Sequence, residues 1–135
     1  MGWEELAMNP QAITSLFDIS PSLVDARMTG IVFYQDGPRI GLGLEISDFP
    51  SRAPDRWKRD GANSVSLGLD LIGISKVRMI GWGVDNIVTL SVDDMPQKLI
   101  RITGLGDVCT FEATCHSLYI AAVRGYRDER FGPRV

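Results

Sequence analysis

The sequence predicts an α+β fold that is mainly β: a curved antiparallel sheet or flattened barrel of about eight strands, with one short N-terminal helix. Three observations carry this. Beyond residue 28, apolar residues recur at alternate positions in short runs, the pattern of strands that bury one face. Glycine, proline and aspartate punctuate the runs at close intervals, which favours local hairpins. No long amphipathic helix lies between them, so the crossovers of a parallel sheet are missing. The 135 residues are expected to form a single domain, since a domain takes about 100–200.

The helix comes first. Asn9 suits an N-cap and Pro10 the first helical turn, while Ala12, Ile13, Leu16 and Phe17 recur at helical spacing. Pro21 blocks continuation, leaving a helix of about eight residues laid against the sheet. Residues 28–35 then read as a strand and Asp36-Gly37-Pro38 as a turn. Ile40, Leu42, Leu44 and Ile46, alternating with Gly41, Gly43 and Glu45, form the second arm of a hairpin. Val65, Leu67, Leu69 and Leu71 alternate in the same way. Val77 and Met79 mark a short strand that ends at Gly81-Trp82-Gly83. Val88, Leu90 and Val92 mark the next, closed by a turn over 94–97 around Pro96. Residues 99–103 and 108–115 form a hairpin through Gly104-Leu105-Gly106, and a last apolar segment covers 118–123. One sheet face should be apolar and the other rich in Ser, Thr, Gly and Asp.

Hydrophobic residues make up 44% and charged residues 23%, which excludes a disordered chain, a coiled coil and a disulfide scaffold. With 14 basic and 17 acidic residues the net charge is −3, which argues against nucleic acid as a partner. No apolar run approaches the roughly 18 residues of a membrane span, and residues 1–5 lack the start of a secretory signal. A cytoplasmic location without membrane contact is expected. Cys109 and Cys115 would stay reduced there. Six positions along one strand also separate their Cα atoms by about 20 Å, beyond the about 4.4–6.8 Å that a disulfide spans.

Catalytic constellations are absent from the sequence. No phosphate loop with Lys-Ser or Lys-Thr occurs, and the Gly-x-Gly elements at 41–43, 81–83 and 104–106 lack a third glycine. A zinc site takes three or four Cys and His ligands; only Cys109, Cys115 and His116 occur, and a strand sends Cys115 and His116 to opposite faces. His116 reads as an ordinary surface or sheet histidine, Asp93-Asp94 as a solvated turn, and Asp70 as a solvent-facing acid. No cofactor, metal or catalytic residue is expected, and the chain is not expected to be an enzyme.

The longest interruption, 47–62 (SDFPSRAPDRWKRDGA), is stiffened by Pro50 and Pro54. It is locally basic, whereas the first fifty residues are acidic. Loops this long are often functional. Trp57 within it has two readings: an interface anchor, since Trp and Arg dominate binding hot spots, or a lid that plugs one end of the sheet. The candidate partner contacts are Asp48, Arg52, Asp55, Arg56, Trp57 and Lys58. Trp82, between two glycines, is expected in the core, and Trp3 is expected to dock the N-terminus onto the sheet.

These elements together resemble a known family. Leu16-Phe17 precedes Pro21-Ser22-Leu23; Asp36-Gly37-Pro38, Asp48-Phe49-Pro50 and Pro54 with Trp57-Lys58 follow. Asn63 leads a Leu-alternating strand, and Gly81-Trp82-Gly83 and Gly125-Tyr126 complete the order. From about Trp3 to Tyr126 the chain is similar to the immunity protein 50 family of bacterial polymorphic toxin systems. The resemblance implies a small cytosolic toxin inhibitor whose partner is a cognate toxin protein, and it transfers no contact residue. The charged tail 127–135 lies outside it and is expected to be partly disordered.

Two other classes stay open. A small-ligand-binding β module would use a sheet face where Gly41 and Gly43 leave space. An enzyme with a dispersed site would depend on carboxylates such as Asp70 or Glu112. Exposed strand edges permit a homo-oligomer, but nothing in the sequence requires one.

Overall fold

The computed structural model describes residues 2–130. Eight antiparallel strands follow in chain order: β1 (Ala26–Tyr34), β2 (Arg39–Ile46), β3 (Ser64–Ile72), β4 (Lys76–Ile80), β5 (Asn86–Met95), β6 (Leu99–Leu105), β7 (Thr110–Cys115) and β8 (Ser117–Tyr126). They form one sheet in the order β4-β7-β6-β5-β1-β2-β3-β8, with β4 and β8 at its edges. The sheet is curved and does not close, although β8 touches β6. The predicted hairpins are present. β1 and β2 pair through the turn at Gly37, whose φ of +116° suits glycine, and β6 pairs with β7.

Other pairings join residues far apart in sequence. β1 meets β5 over three residue pairs, Ala26–Val88 to Met28–Asn86, and among the described residues this is the strand pairing that joins the two four-stranded halves of the sheet. β3 and β8 pair from Ser64–Tyr126 to Ile72–Ser117, and residues 73–116 between them hold all of β4–β7.

Alternation builds the core. Ile40, Leu42, Leu44 and Ile46 of β2 and Val65, Leu67, Leu69 and Leu71 of β3 are all buried, while the residues between them face outward. Ile100, Ile102, Phe111 and Leu118 add to this face, and Ile13, Phe17, Leu23 and Trp57 cover it. Burying each such aliphatic side chain contributes about 1.5–3 kcal/mol. Trp3 does dock the N-terminus, its indole N–H donating to the Pro21 carbonyl at 3.0 Å.

Three local expectations are corrected. The N-terminal helix α1 is only Gln11–Thr14, and Asn9 does not cap it. The Asn9 side chain instead donates to the Ile120 carbonyl and accepts from the Ile120 N–H, both at 2.9 Å. This leaves the helix start without a side-chain cap and pins residues 7–9 along β8. A second short helix, α2 (Asp55–Arg59), lies within the segment expected to be a loop; Pro54, barred from donating, sits just before its first turn. Finally, β5 runs on to Met95, and the turn falls at 96–98, where Gln97 and Lys98 take positive φ.

In the tail, Asn63 donates to the Asp128 carbonyl at 2.9 Å and accepts from its N–H at 2.8 Å. Residues 127–130 are thus tied to the start of β3. The expectation for 131–135 lies outside the described residues.

Candidate partner interface

The predicted contact residues of 47–62 separate into two groups. Asp48, Arg52 and Trp57 hold the segment onto the body. A carboxylate oxygen of Asp48 accepts from the Ser22 N–H at 2.8 Å. The Arg52 guanidinium donates to the carbonyls of Thr14, Ser15 and Phe17 and pairs with Asp18, closing the end of α1. Trp57 is 5% exposed, packs edge-on to Phe49 with ring centroids 6.3 Å apart, and covers Gly125 of β8. Its indole is the lid. Asp55, Arg56 and Lys58 form the second group, on the exposed side of α2 with Arg59 and Asp60. They present charge without an exposed aromatic side chain.

Trp82 reverses its expectation: it is 49% exposed and not in the core. Its loop, 81–85, crosses the β6–β7 turn at very close range. Gly81 has φ +81°, and a Cβ there would collide with the Val108 carbonyl oxygen; a Cβ at Gly83 would lie 2.9 Å from Val108 Cγ1. Asn86, 2% exposed, fixes the loop from below. Its Oδ1 accepts from the Gly83 N–H at 2.7 Å and its Nδ2 donates to the Gly83 carbonyl at 2.8 Å. With backbone on one side, the indole is left facing solvent. On this loop, the strand ends beside it and the β6–β7 turn, Ile80, Val84, Leu105 and Val108 are 50–96% exposed. Beside them a surface depression is lined by Ile87, Leu105 and Val108 together with Asp25, Asp85 and Asp107. The glycine flanks were the available signal, and they indicate close backbone approach without indicating which way the ring turns.

Polar side chains elsewhere are engaged with one another. Tyr126 donates to Glu45 at 2.5 Å, and Arg27 stands 3.7 Å from Glu45 and 3.8 Å from Asp85. Burial first, then the Glu45 hydrogen bond and charge, push the Tyr126 phenol up to about 12. Arg130, hydrogen-bonded to Asp128, holds that carboxyl down at about 2. Asp70 pairs with Arg39 at 3.5 Å, and the Arg39 guanidinium lies 3.8 Å from the centre of the Tyr34 ring. Gly41 and Gly43 face outward beneath neighbouring groups. A Cβ at Gly41 would sit 3.6 Å from Asp70 Oδ1 and from Tyr34, and one at Gly43 would sit 2.7 Å from Thr29 Oγ1.

Cys109 and Cys115 are buried free thiols, and burial pushes Cys115 up to about 11. His116 is exposed, so it and Cys115 face apart. Among the described residues no group of three or more His, Cys, Asp or Glu could hold a metal ion.

Compared with known proteins, residues 9–126 match the family described as Immunity protein 50. The chain belongs to that family. The match runs from Asn9, which bonds to β8, to Tyr126, which ends β8, so every strand of this immunity-family sheet lies inside it. No curated protein and no solved structure matches the chain.

Proposed function

We propose that this chain is an immunity protein that neutralises a cognate bacterial toxin domain in the cytoplasm by binding it, without catalysis. The observation that carries the reading is the family match over residues 9–126. The geometry is consistent with it. Glu45, Asp70 and Asp128 are engaged with Tyr126, Arg39 and Arg130, and the Cys115 thiol is far from the thiolate form that a nucleophile needs. What the molecule offers a partner is a rigid surface.

The test is capture of the tagged chain from its native cells, followed by expression of the recovered partner's C-terminal domain with and without this chain. A domain that kills alone and is tolerated on co-expression is the expected result. Titration then separates binding from catalysis. A binder protects in one-to-one proportion and the toxin domain is recovered intact. Protection by a small fraction of an equivalent, with the toxin cleaved or modified, would overturn the non-catalytic reading.

A further inference from the structure

We propose that the exposed apolar side chains of the 81–85 loop and the adjoining β6–β7 turn, Trp82 among them, form the toxin-docking surface, and that the toxin face they receive is an apolar recess ringed by Lys and Arg. This rests on the reading above that the chain acts by binding a toxin domain.

The first argument is the cost of leaving these side chains in water. Trp82, Val84, Leu105 and Val108 are each about half exposed or more; Trp82 and Val84 lie on the 81–85 loop, Val108 on the β6–β7 turn that this loop touches, and Leu105 at the end of β6 before that turn. Clustered apolar exposure of this kind marks interaction sites in soluble domains. Aromatic anchors near the centre of such a patch dominate binding energy.

The second argument is rigidity. The indole does not face out because its loop is loose. Buried Asn86 holds Gly83 through both its amide atoms, and the backbone at Gly81 is too close to Val108 to admit any side chain. A side chain presented in a fixed place loses little freedom on association, which favours affinity.

Charge names the occupant. Asp25 and Asp107 line the depression beside Ile87, Leu105 and Val108, together with Asp85, which Arg27 approaches to 3.8 Å, and among the described residues no Lys or Arg lines it. Asp107 sits on the β6–β7 turn with Val108, two residues past Leu105 at the end of β6. An acidic rim around an apolar centre complements a basic rim around an apolar recess, and it speeds the encounter of the two. The rival surface on α2 has Arg56 and Lys58 but keeps its own tryptophan inside. It is a solvated face.

The probe is the isolated C-terminal domain of the toxin recovered in the neutralisation experiment. Its binding is measured by calorimetry and stopped flow to the full chain and to Trp82→Ala, Val84→Arg, Asp107→Lys and the double variant Arg56→Ala/Lys58→Ala. Val84 is 96% exposed, so its variant tests the surface without touching the core. The thermal midpoint of every variant is checked first. We expect Trp82→Ala to weaken binding about 100-fold and Val84→Arg about 10-fold or more. Asp107→Lys should slow association about 10-fold and flatten its salt dependence. The α2 double variant should bind as the parent does.

Full affinity of Trp82→Ala and Val84→Arg, with loss in the α2 variant, would move docking to α2 and overturn the proposal while immunity stands. Faster association of Asp107→Lys would overturn the basic occupant. A parent dimer that Val84→Arg splits would show that a second copy covers the patch, which also overturns it. A parent chain that neutralises no captured toxin removes the immunity reading, and the proposal with it.

Discussion

The indole of Trp57 packs against Gly125, so close that a Cβ there would lie 2.5 Å from the ring. The two residues belong to α2 and β8, and together they seal one end of the sheet. Replacing Gly125 by Ala should therefore cost about 1–3 kcal/mol through overpacking. Trp57→Ala should cost about 3–5 kcal/mol through the cavity it leaves. Urea unfolding of each variant measures both. An indifferent Trp57→Ala would show that the ring is not a lid.

Arg52 is the second stabilising contact of the 47–62 segment. Its guanidinium serves the carbonyls of Thr14, Ser15 and Phe17 at once, but it is about half exposed. Arg52→Ala should lower stability by about 1–2 kcal/mol, toward the low end for bonds from a charged donor. Arg52→Lys should restore only part of this, because an ammonium lacks the planar fork. Arg56→Ala, on the solvated side of α2, should stay within about 0.5 kcal/mol. The same urea series compares all three.

Asn86 holds the Trp82 loop through two bonds in a buried place. Asn86→Ala leaves the Gly83 N–H and carbonyl without these partners and should cost about 1–3 kcal/mol. Amide hydrogen exchange supplies the local reading: Gly83 should lose its protection while Leu67 and Leu69 of β3 keep theirs.

Alkaline pH should act through Tyr126 and Cys115. The Tyr126 phenol ionises near 10 in an unfolded chain and near 12 in the folded one. The folded state thus holds its proton longer. The stability this provides is complete below pH 10 and is lost as pH rises toward 12. Cys115 behaves alike between about 9 and 11. The urea midpoint should fall across this range, and Tyr126→Phe should shallow the fall above pH 10. A parallel fall in both proteins would refute the assignment.

Thiol counting gives an independent check on the core. Both cysteines are buried and free. At pH 8 the folded chain should resist a disulfide reagent, and in denaturant it should yield two thiols. A fast native reaction would show that the β7 region opens readily.

Much of the sheet was legible because its signals are local. Period-two alternation marked β2 and β3 correctly, and Asp36-Gly37-Pro38 marked the turn of the first hairpin. What escaped depends on contacts between distant residues. Asn9 has the chemistry of a cap, yet it bonds to Ile120, a partner no local rule reveals. The basic segment looked like an interface because Arg and Trp favour interfaces, but Arg52 and Trp57 spend those properties on α1 and Gly125. Deciding between the two readings of Trp57, and turning Trp82 outward, needed the backbone itself. Gly125 leaves a seat for one ring, and the Gly81–Val108 approach turns the other outward.

The pairing of Ile72 with Ser117 makes β3 and β8 a hairpin whose loop is half of the sheet. A nascent chain reaches β3 early, with β1 and β2 already made, but the strand that covers its other edge ends only at Tyr126. At ribosomal speed that interval is roughly 3–10 s. During it the edge of β3, flanked by Leu67, Leu69 and Leu71, is open to any other extended chain. Translation that halts near residue 116 would release a product whose unmatched edge invites aggregation, so synthesis of the last strand decides whether that edge is covered or left open.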